Sequence, residues 1–317
     1  MSKASELKRL WREEYDAGNF EEALKLEKAF IDARRKEIDE LDNEIKKSKS
    51  IEFKRVIDEI ENDKPKPKIE TGINALDINL VEYYDGHNKG GLELGNFILL
   101  TGVKGAGKTT LVTRLIAGFS QANKVNWFNF EMSKKQAYRI IKKFESIANW
   151  DNLLYYAGDR DIEEIIDEIK FNSTLGVQHF FIDSLMKIES KAHKDKVEKY
   201  SYISDRLSAV AKQLNINIYL IAQVSQETER NGGFGIKHGN DIEYDADYIF
   251  ILYKKPIKEG NKILEDDFGN KLYYEDKRIL KCFKNRVDER LFAVEVAKED
   301  LTNQALPDYE VVEVPTI

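Results

Sequence analysis

Residues 97–110 read FILLTGVKGAGKTT: an apolar run passes straight into a glycine-rich turn and then into a lysine and two hydroxyls. The turn, Gly102–Thr109, fits the pattern G-x-x-x-x-G-K-T, and each part of that pattern has a physical task. Gly102, Gly105 and Gly107 let main-chain amides curl around phosphate oxygens. The N-terminus of the next helix adds positive potential, and Lys108 brings a full charge to the β- and γ-phosphates. The Thr109 hydroxyl is placed to ligate Mg²⁺, and Thr110 extends the phosphate-binding turn. Context separates this stretch from an ordinary glycine turn. An apolar strand precedes it, and Leu111, Leu115, Ile116 and Phe119 follow at helical spacing.

Outward from this point, short apolar runs alternate with amphipathic helices. Val125–Glu131, Val177–Asp183, Ile216–Gln223 and Asp247–Tyr253 are too uniformly apolar to keep one face in water, which predicts a parallel sheet covered on both sides. Helices are predicted around Ala137–Phe144 and Ile203–Leu214. Arg278–Asn285 and Leu291–Ala297 read as a later, antiparallel pair of strands. The alternation predicts an open α/β fold with its site at the carboxyl ends of the strands.

Three further side chains fall at such ends. Asp183 closes the strand VQHFFID. Alone, such an aspartate is also how a turn or helix cap is written, but beside the phosphate loop it becomes the partner of Thr109 in holding Mg²⁺. Glu131 follows WFNF and can polarise a water attacking a γ-phosphate, or it can stabilise the dipole of the helix after it. Gln223 ends INIYLIAQ, where its amide can sense the γ-phosphate or simply satisfy a strand end.

The first sixty-odd residues are written differently. Leu7, Leu10, Trp11 and Tyr15 recur at helical spacing, Ala17–Asn19 breaks the run, and Phe20, Leu24, Phe30 and Ala33 resume it, predicting a helical hairpin packed on a partner surface. The pattern continues through Ile45 and again through Ile51, Phe53, Val56, Ile57 and Ile60, and ends at Pro65 and Pro67. Residues 1–66 are therefore expected to form a helical region with a linker helix, and 67–317 the α/β domain.

Composition excludes several classes. With 50 Lys and Arg against 57 Asp and Glu, net charge −7, nucleic-acid affinity must come from a local basic surface. A single cysteine, Cys282, excludes an intrachain disulfide and fits a reducing compartment. No signal core and no apolar run of about eighteen residues occur, so no membrane partner is expected.

The ordered set of motifs resembles the RecA-like motor domain of hexameric replicative helicases of the DnaB type, with relatives in phage and mitochondrial primase-helicases. TGINALD (Thr71–Asp77), GVKGAGKTT, FNFEMS (Phe128–Ser133), FIDSLMKI with the helix and strand to Gln226, DIEYDADYIF (Asp241–Phe250) and KNR (Lys284–Arg286) stand in the order of that family. The resemblance implies a RecA-like P-loop NTPase with a mostly parallel central sheet behind an α-helical hairpin and linker. It makes Glu131 the catalytic carboxylate, Lys108 the phosphate lysine, Gln223 the sensor, and Lys284 with Arg286 a trans-acting pair reaching the γ-phosphate of a neighbouring subunit.

The implied activity is ATP-dependent (or other NTP-dependent) translocation on single-stranded DNA by a homo-oligomeric, hexameric ring that unwinds forked duplex DNA. The setting would be the cytoplasm of a bacterial or phage-infected cell, and a primase or polymerase partner would be compatible with it. Two loops would line the channel. Lys187–Lys199 carries Lys191, Lys194 and Lys196, and Glu227–Asn240 carries Arg230 and Lys237. GIKHGN (Gly235–Asn240) departs from the family's Asp-Leu-Arg-x-Ser-Gly, and neither a primase module nor a globular DnaB-type N-terminal domain is expected ahead of the motor. Two other readings stay open: a RecA-like recombinase or mediator, to which Phe30-x-x-Ala33 resembles a polymerisation motif, and a KaiC-like regulatory ATPase.

Overall fold

The structure, a computed structural model, describes residues 3–46, 68–80, 90–193, 195–223, 240–260, 262–266, 269 and 271–297. The chain forms two compact units. One comprises 1–67 with 163–177, and the other 68–162 with 178–317.

In the first unit, α1 (Lys3–Asp16) and α2 (Phe20–Lys46) form the expected hairpin, and α2 runs unbroken through the stripe to Lys46. Its partner is a helix that the sequence reading passed over, α6 (Ile162–Thr174). Phe30 meets Phe171 edge-on with ring centroids 5.5 Å apart, and Arg34 lies over the same ring at 4.4 Å while its Nη2 donates to Glu168 Oε2 at 2.6 Å. Phe30-x-x-Ala33 is thus engaged within its own chain. The expected linker stripe, Ile51–Ile60, lies outside the described residues.

The second unit is built on an eight-stranded sheet ordered β10-β9-β6-β1-β5-β4-β2-β3. β1 (Phe97–Gly102), β4 (Val177–Asp183) and β5 (Asn217–Ile221) match the apolar runs read from the sequence; β2 (Lys124–Asn129) ends two residues short of Glu131. β1 runs parallel to both β5 and β6 (Tyr248–Pro256), and β4 runs parallel to β5. β1 and β5 are buried at every position, as strands with both faces covered require. The short edge strand β3 (Leu153–Tyr156) was not anticipated, because LLYY is brief and half-exposed.

β9 (Tyr273–Asn285) returns antiparallel to β6, and β10 (Phe292–Ala297) returns antiparallel to β9. A small ribbon pairs β7 (Lys258–Glu259) with β8 (Lys262–Ile263). Helix α4 (Lys108–Ser120) buries Leu111, Leu115, Ile116 and Phe119, each side chain contributing roughly 1.5–3 kcal/mol of transfer free energy. Short helices α3 (Asn74–Asn79) and α5 (Lys134–Ile141) complete this unit with α7 (Lys196–Leu214) and α8 (Asn240–Asp245). The parallel strands all present their carboxyl ends to one edge of the sheet.

Candidate active site

That carboxyl edge gathers most of the expected residues. The phosphate loop leaves β1 at Gly102 and enters α4 at Gly107, whose φ of +105° is the left-handed region that only glycine adopts freely. Gly102 is fixed for another reason: a Cβ there would stand 2.2 Å from the carbonyl oxygen of Leu252 on β6. Lys108 folds back over the loop, its Nζ donating to Gly102 O at 2.7 Å and Val103 O at 3.1 Å. Thr109 and Thr110 occupy the first turn of α4, half-buried.

Asp183 ends β4, buried, and its Oδ2 has no hydrogen-bond partner. Burial, reinforced by the nearby Glu131 carboxylate and opposed by Lys108, pushes its carboxyl up to about 7. A buried carboxylate oxygen without a donor, near enough to Glu131 and to Lys108 of the phosphate loop to feel both charges, is chemistry suited to a hard divalent cation. The residues present therefore fit Mg²⁺.

Glu131 sits beyond the end of β2 in a loop that three bonds hold in place. Phe130 N donates to Asp183 O at 2.7 Å, and Asn129 Oδ1 accepts from Glu131 N and Met132 N, each at 3.2 Å. Ser133 then caps α5, forming a capping box with Gln136. The Glu131 side chain is exposed, and its Oε1 accepts a hydrogen bond from Ser184 Oγ at 2.8 Å. Nothing in the sequence reading had singled out Ser184 or Asn129; both are ordinary polar residues whose role depends on where β2 and β4 end. Gln223 is exposed two residues past β5, on the same edge.

Lys284 and Arg286 lie at the other edge. Asn285 pairs with Tyr248, which pairs with Ile98, whereas Gly102 pairs with Leu252. Arg286 N donates to Asp247 O and Asp247 N to Phe97 O, so Arg286 is level with the first residue of β1. Five residues of strand, roughly 16 Å, separate it from the phosphate loop. β9 ends at Asn285, so Arg286 occupies the following turn rather than the strand itself, with its side chain exposed. Lys284 Nζ donates to Tyr244 O at 3.0 Å and to Glu243 O, capping the carbonyl end of α8. Partial burial, and then Arg286, hold its pKa below the ordinary lysine value.

Residues 137–290 match the model of the DnaB-like helicase C terminal domain. The chain resembles that family over just under half of its length. It is 28% identical over 234 residues to the replicative DNA helicase DnaB of Helicobacter pylori, covering 61% of this chain and 46% of that protein. A probable plasmid replicative DNA helicase of Chlamydia trachomatis is 26% identical over 219 residues, covering 57% of this chain and 48% of the relative. The DNA repair protein RadA of Rickettsia bellii is 27% identical over 201 residues, covering 62% and 39%. The chain thus spans about half the length, or less, of the curated relatives it matches.

Two solved structures share the fold. One, an ATPase domain, superposes with TM-score 0.59 at 20% identity, covering 82% of this chain and 97% of that one. A DnaB-like replicative helicase studied for its interactions with primase gives 0.58 at 18% identity, covering 93% and 73%.

The stretch matching the DnaB-like domain includes Asp183, Gln223, Lys284 and Arg286 but begins after the phosphate loop and Glu131, which stand on their own geometry. The first expected DNA loop in this domain is partly helical. Asp195 caps α7 through Val197 N and Glu198 N, so Lys196 and Lys199 lie in its first turn. Lys191 and Lys196 are exposed; Lys199 Nζ instead donates to Ile188 O at 3.2 Å. Lys194, Arg230 and Lys237 lie outside the described residues. No described helix is long and apolar enough to cross a membrane.

Proposed function

We propose that this chain is an ATP-driven DNA motor whose hydrolytic site is completed by a neighbouring copy, and that a ring of copies, six in the family it resembles, moves along single-stranded DNA and opens forked duplexes. The observation that carries this reading is the separation of the phosphate loop, Asp183 and Glu131 from Arg286, at opposite edges of one sheet. A guanidinium there cannot serve its own phosphates. Stacked head to tail, protomers would bring one edge to the other.

Within such a site, Gly102, Gly105, Gly107, Lys108, Thr109 and Thr110 bind and orient the triphosphate. Thr109 and Asp183 would hold Mg²⁺, which would neutralise charge on the β- and γ-phosphate oxygens. Ser184 engages Oε1 of Glu131, so Oε2 would orient the attacking water and take its proton. The neighbour's Arg286 stabilises the charge on the transferring phosphoryl group, worth on the order of 10³–10⁵ in rate. Gln223 would report the γ-phosphate to the DNA loops, where Lys191, Lys194, Lys196, Arg230 and Lys237 would track the phosphodiester backbone.

In this reading residues 1–66 supply the collar and 67–317 the motor. The stripe Ile51–Ile60 would dock on an adjacent protomer. An apolar cavity of about 330 Å³ lined by Trp127, Ala137, Tyr138, Ile141 and Trp150 offers a surface of suitable chemistry.

The likeness to RadA supports a second reading, a RecA-like ATPase that binds DNA without unwinding it. A forked-duplex assay with ATP and Mg²⁺, run beside Lys108→Ala, separates them. Unwinding lost in the variant supports the motor. DNA-coated filaments without unwinding support the second reading, and hydrolysis indifferent to DNA would point instead to a regulatory ATPase.

A further inference from the structure

Arg278 lies on β9 opposite Lys254 of β6, and Leu252, two residues earlier on β6, pairs with Gly102 of the phosphate loop. One strand therefore stands between the arginine and the loop. Arg278 is only 5% exposed, and its guanidinium is committed to main-chain carbonyls. Nη1 donates to Lys277 O at 2.8 Å, to Glu275 O at 3.0 Å and to Tyr274 O at 3.5 Å. Nε reaches over β6 and donates to Ala106 O at 2.8 Å. The first three bonds are local. The fourth joins residues 172 positions apart and ends inside GVKGAGKT.

Burying a guanidinium costs several kcal/mol unless its donors are well used, and the Ala106 bond uses one of them on the phosphate loop. The Ala106–Gly107 peptide is planar and trans, and its C=O and N–H point in opposite directions. Holding the carbonyl on the β9 side therefore turns the Gly107 N–H the other way, to the concave side where loop amides converge on phosphate. Neither Ala106 nor Gly107 has a polar side chain that could set this orientation. Gly107, at φ +105°, has no Cβ to restrain it either.

We propose that Arg278 is a positioning residue of the nucleotide site: by clamping the Ala106 carbonyl it presents the Gly107 amide to the phosphates. The inference rests on the nucleotide-binding reading above and adds to it a residue outside the G-x-x-x-x-G-K-T stretch. Arg278 touches no substrate itself. Its effect is confined to the phosphate end of the ligand.

The test compares the full chain with R278M and R278K, measuring ADP affinity by calorimetry and adenosine affinity by NMR titration. R278M is expected to weaken ADP by about ten- to hundredfold and adenosine by less than about threefold, the scale of lost supporting contacts behind ligand-binding groups. R278K, whose ammonium can reach one carbonyl, recovers part of the loss. Unchanged ADP affinity in folded R278M overturns the inference, and so does an equal loss for ADP and adenosine, which marks a merely structural role. An unaltered chain that binds no ADP overturns the underlying nucleotide reading and the inference with it. Should R278M not fold, the unaltered chain decides: the Arg278 Nε–H is expected to resist solvent exchange and to shift with ADP but not with adenosine. Exchange at the solvent rate, or no ADP-specific shift, overturns the proposal.

Discussion

Arg286 and Lys108 occupy opposite ends of one continuous sheet, the first level with Phe97 at the start of β1 and the second one turn beyond its end. On the proposed reading, the two side chains that act on one γ-phosphate would come from different copies. Arg286→Ala is expected to bind ATP with nearly the parent affinity and to lose hydrolysis by about 10³-fold or more. Mixing it with Lys108→Ala, itself inactive, restores part of the hydrolysis, because some of the mixed interfaces join an intact phosphate site to an intact arginine. A mixture as inactive as its components, measured by phosphate release, would count against the shared site.

Glu131 and Ser184 divide their labour differently. Glu131→Gln keeps the shape and the Ser184 contact but removes the proton acceptor, so turnover should fall by about 10²–10⁴-fold with nucleotide affinity preserved. Ser184→Ala leaves the carboxylate in place and frees its orientation, so a loss of about tenfold or less in kcat is expected. The ordering of the two variants, read from steady-state hydrolysis, is the check. Equal losses would make Ser184 more than an orienting hydroxyl.

His179 supplies a pH dependence away from the site. It is fully buried on β4, its ring stacked 4.1 Å from Phe119 and its Nδ1 3.1 Å from the Tyr219 hydroxyl. Burial pushes its pKa down to about 3 from 6.5. A depressed folded pKa means that the neutral ring contributes stability above pH 6.5, and that this is lost as pH falls toward 3. Asp77 and Asp183, both raised to about 7 by burial, act in the opposite sense: their contribution is present below 3.8 and lost as pH rises through 7. The protein's own slope is a difference of these effects, and a variant isolates one of them. Between pH 4 and 6, His179→Phe should remove up to about 1.4 kcal/mol per pH unit of acid sensitivity relative to the parent, followed by denaturant unfolding without metal. Parallel stability curves for the two proteins would show that His179 does not titrate on unfolding.

What the sequence disclosed follows from how local each signal is. The phosphate loop and the ends of β1 and β4 were readable because uniformly apolar strands and a spaced glycine pattern are written in consecutive residues. Ser184, Asn129 and Arg278 were not. Each acquires its partner only when the ends of two strands, or a strand and a loop far apart in the chain, are brought together. Helix α6 escaped notice because IEEIIDEIKF carries four acidic residues among its apolar ones and lies between two β segments. Missing α6 left the N-terminal hairpin without a visible partner, which is why an external surface was expected for it.

That missing partner changes how the hairpin should be tested. If Phe30-x-x-Ala33 were a polymerisation motif, Phe30→Ala would reduce particle mass and leave the protomer's stability alone. The structure instead has Phe30 against Phe171, with Lys8 Nζ 5.9 Å from the Phe30 ring and Arg34, held by Glu168, closing over the Phe171 ring. Phe30 is half-buried, so its truncation should cost less than a fully buried phenylalanine, about 1–2 kcal/mol including the aromatic pair. Arg34→Ala should weaken the same contact through lost stacking as well as lost charge, and the two changes should be non-additive because they share Phe171. The expected outcome is faster hydrogen exchange in α1 and α2 for both variants, with particle mass in the presence of ATP and single-stranded DNA unchanged. A Phe30→Ala protein that keeps its exchange protection but no longer assembles would return the motif to an intermolecular role and favour the filament-forming reading.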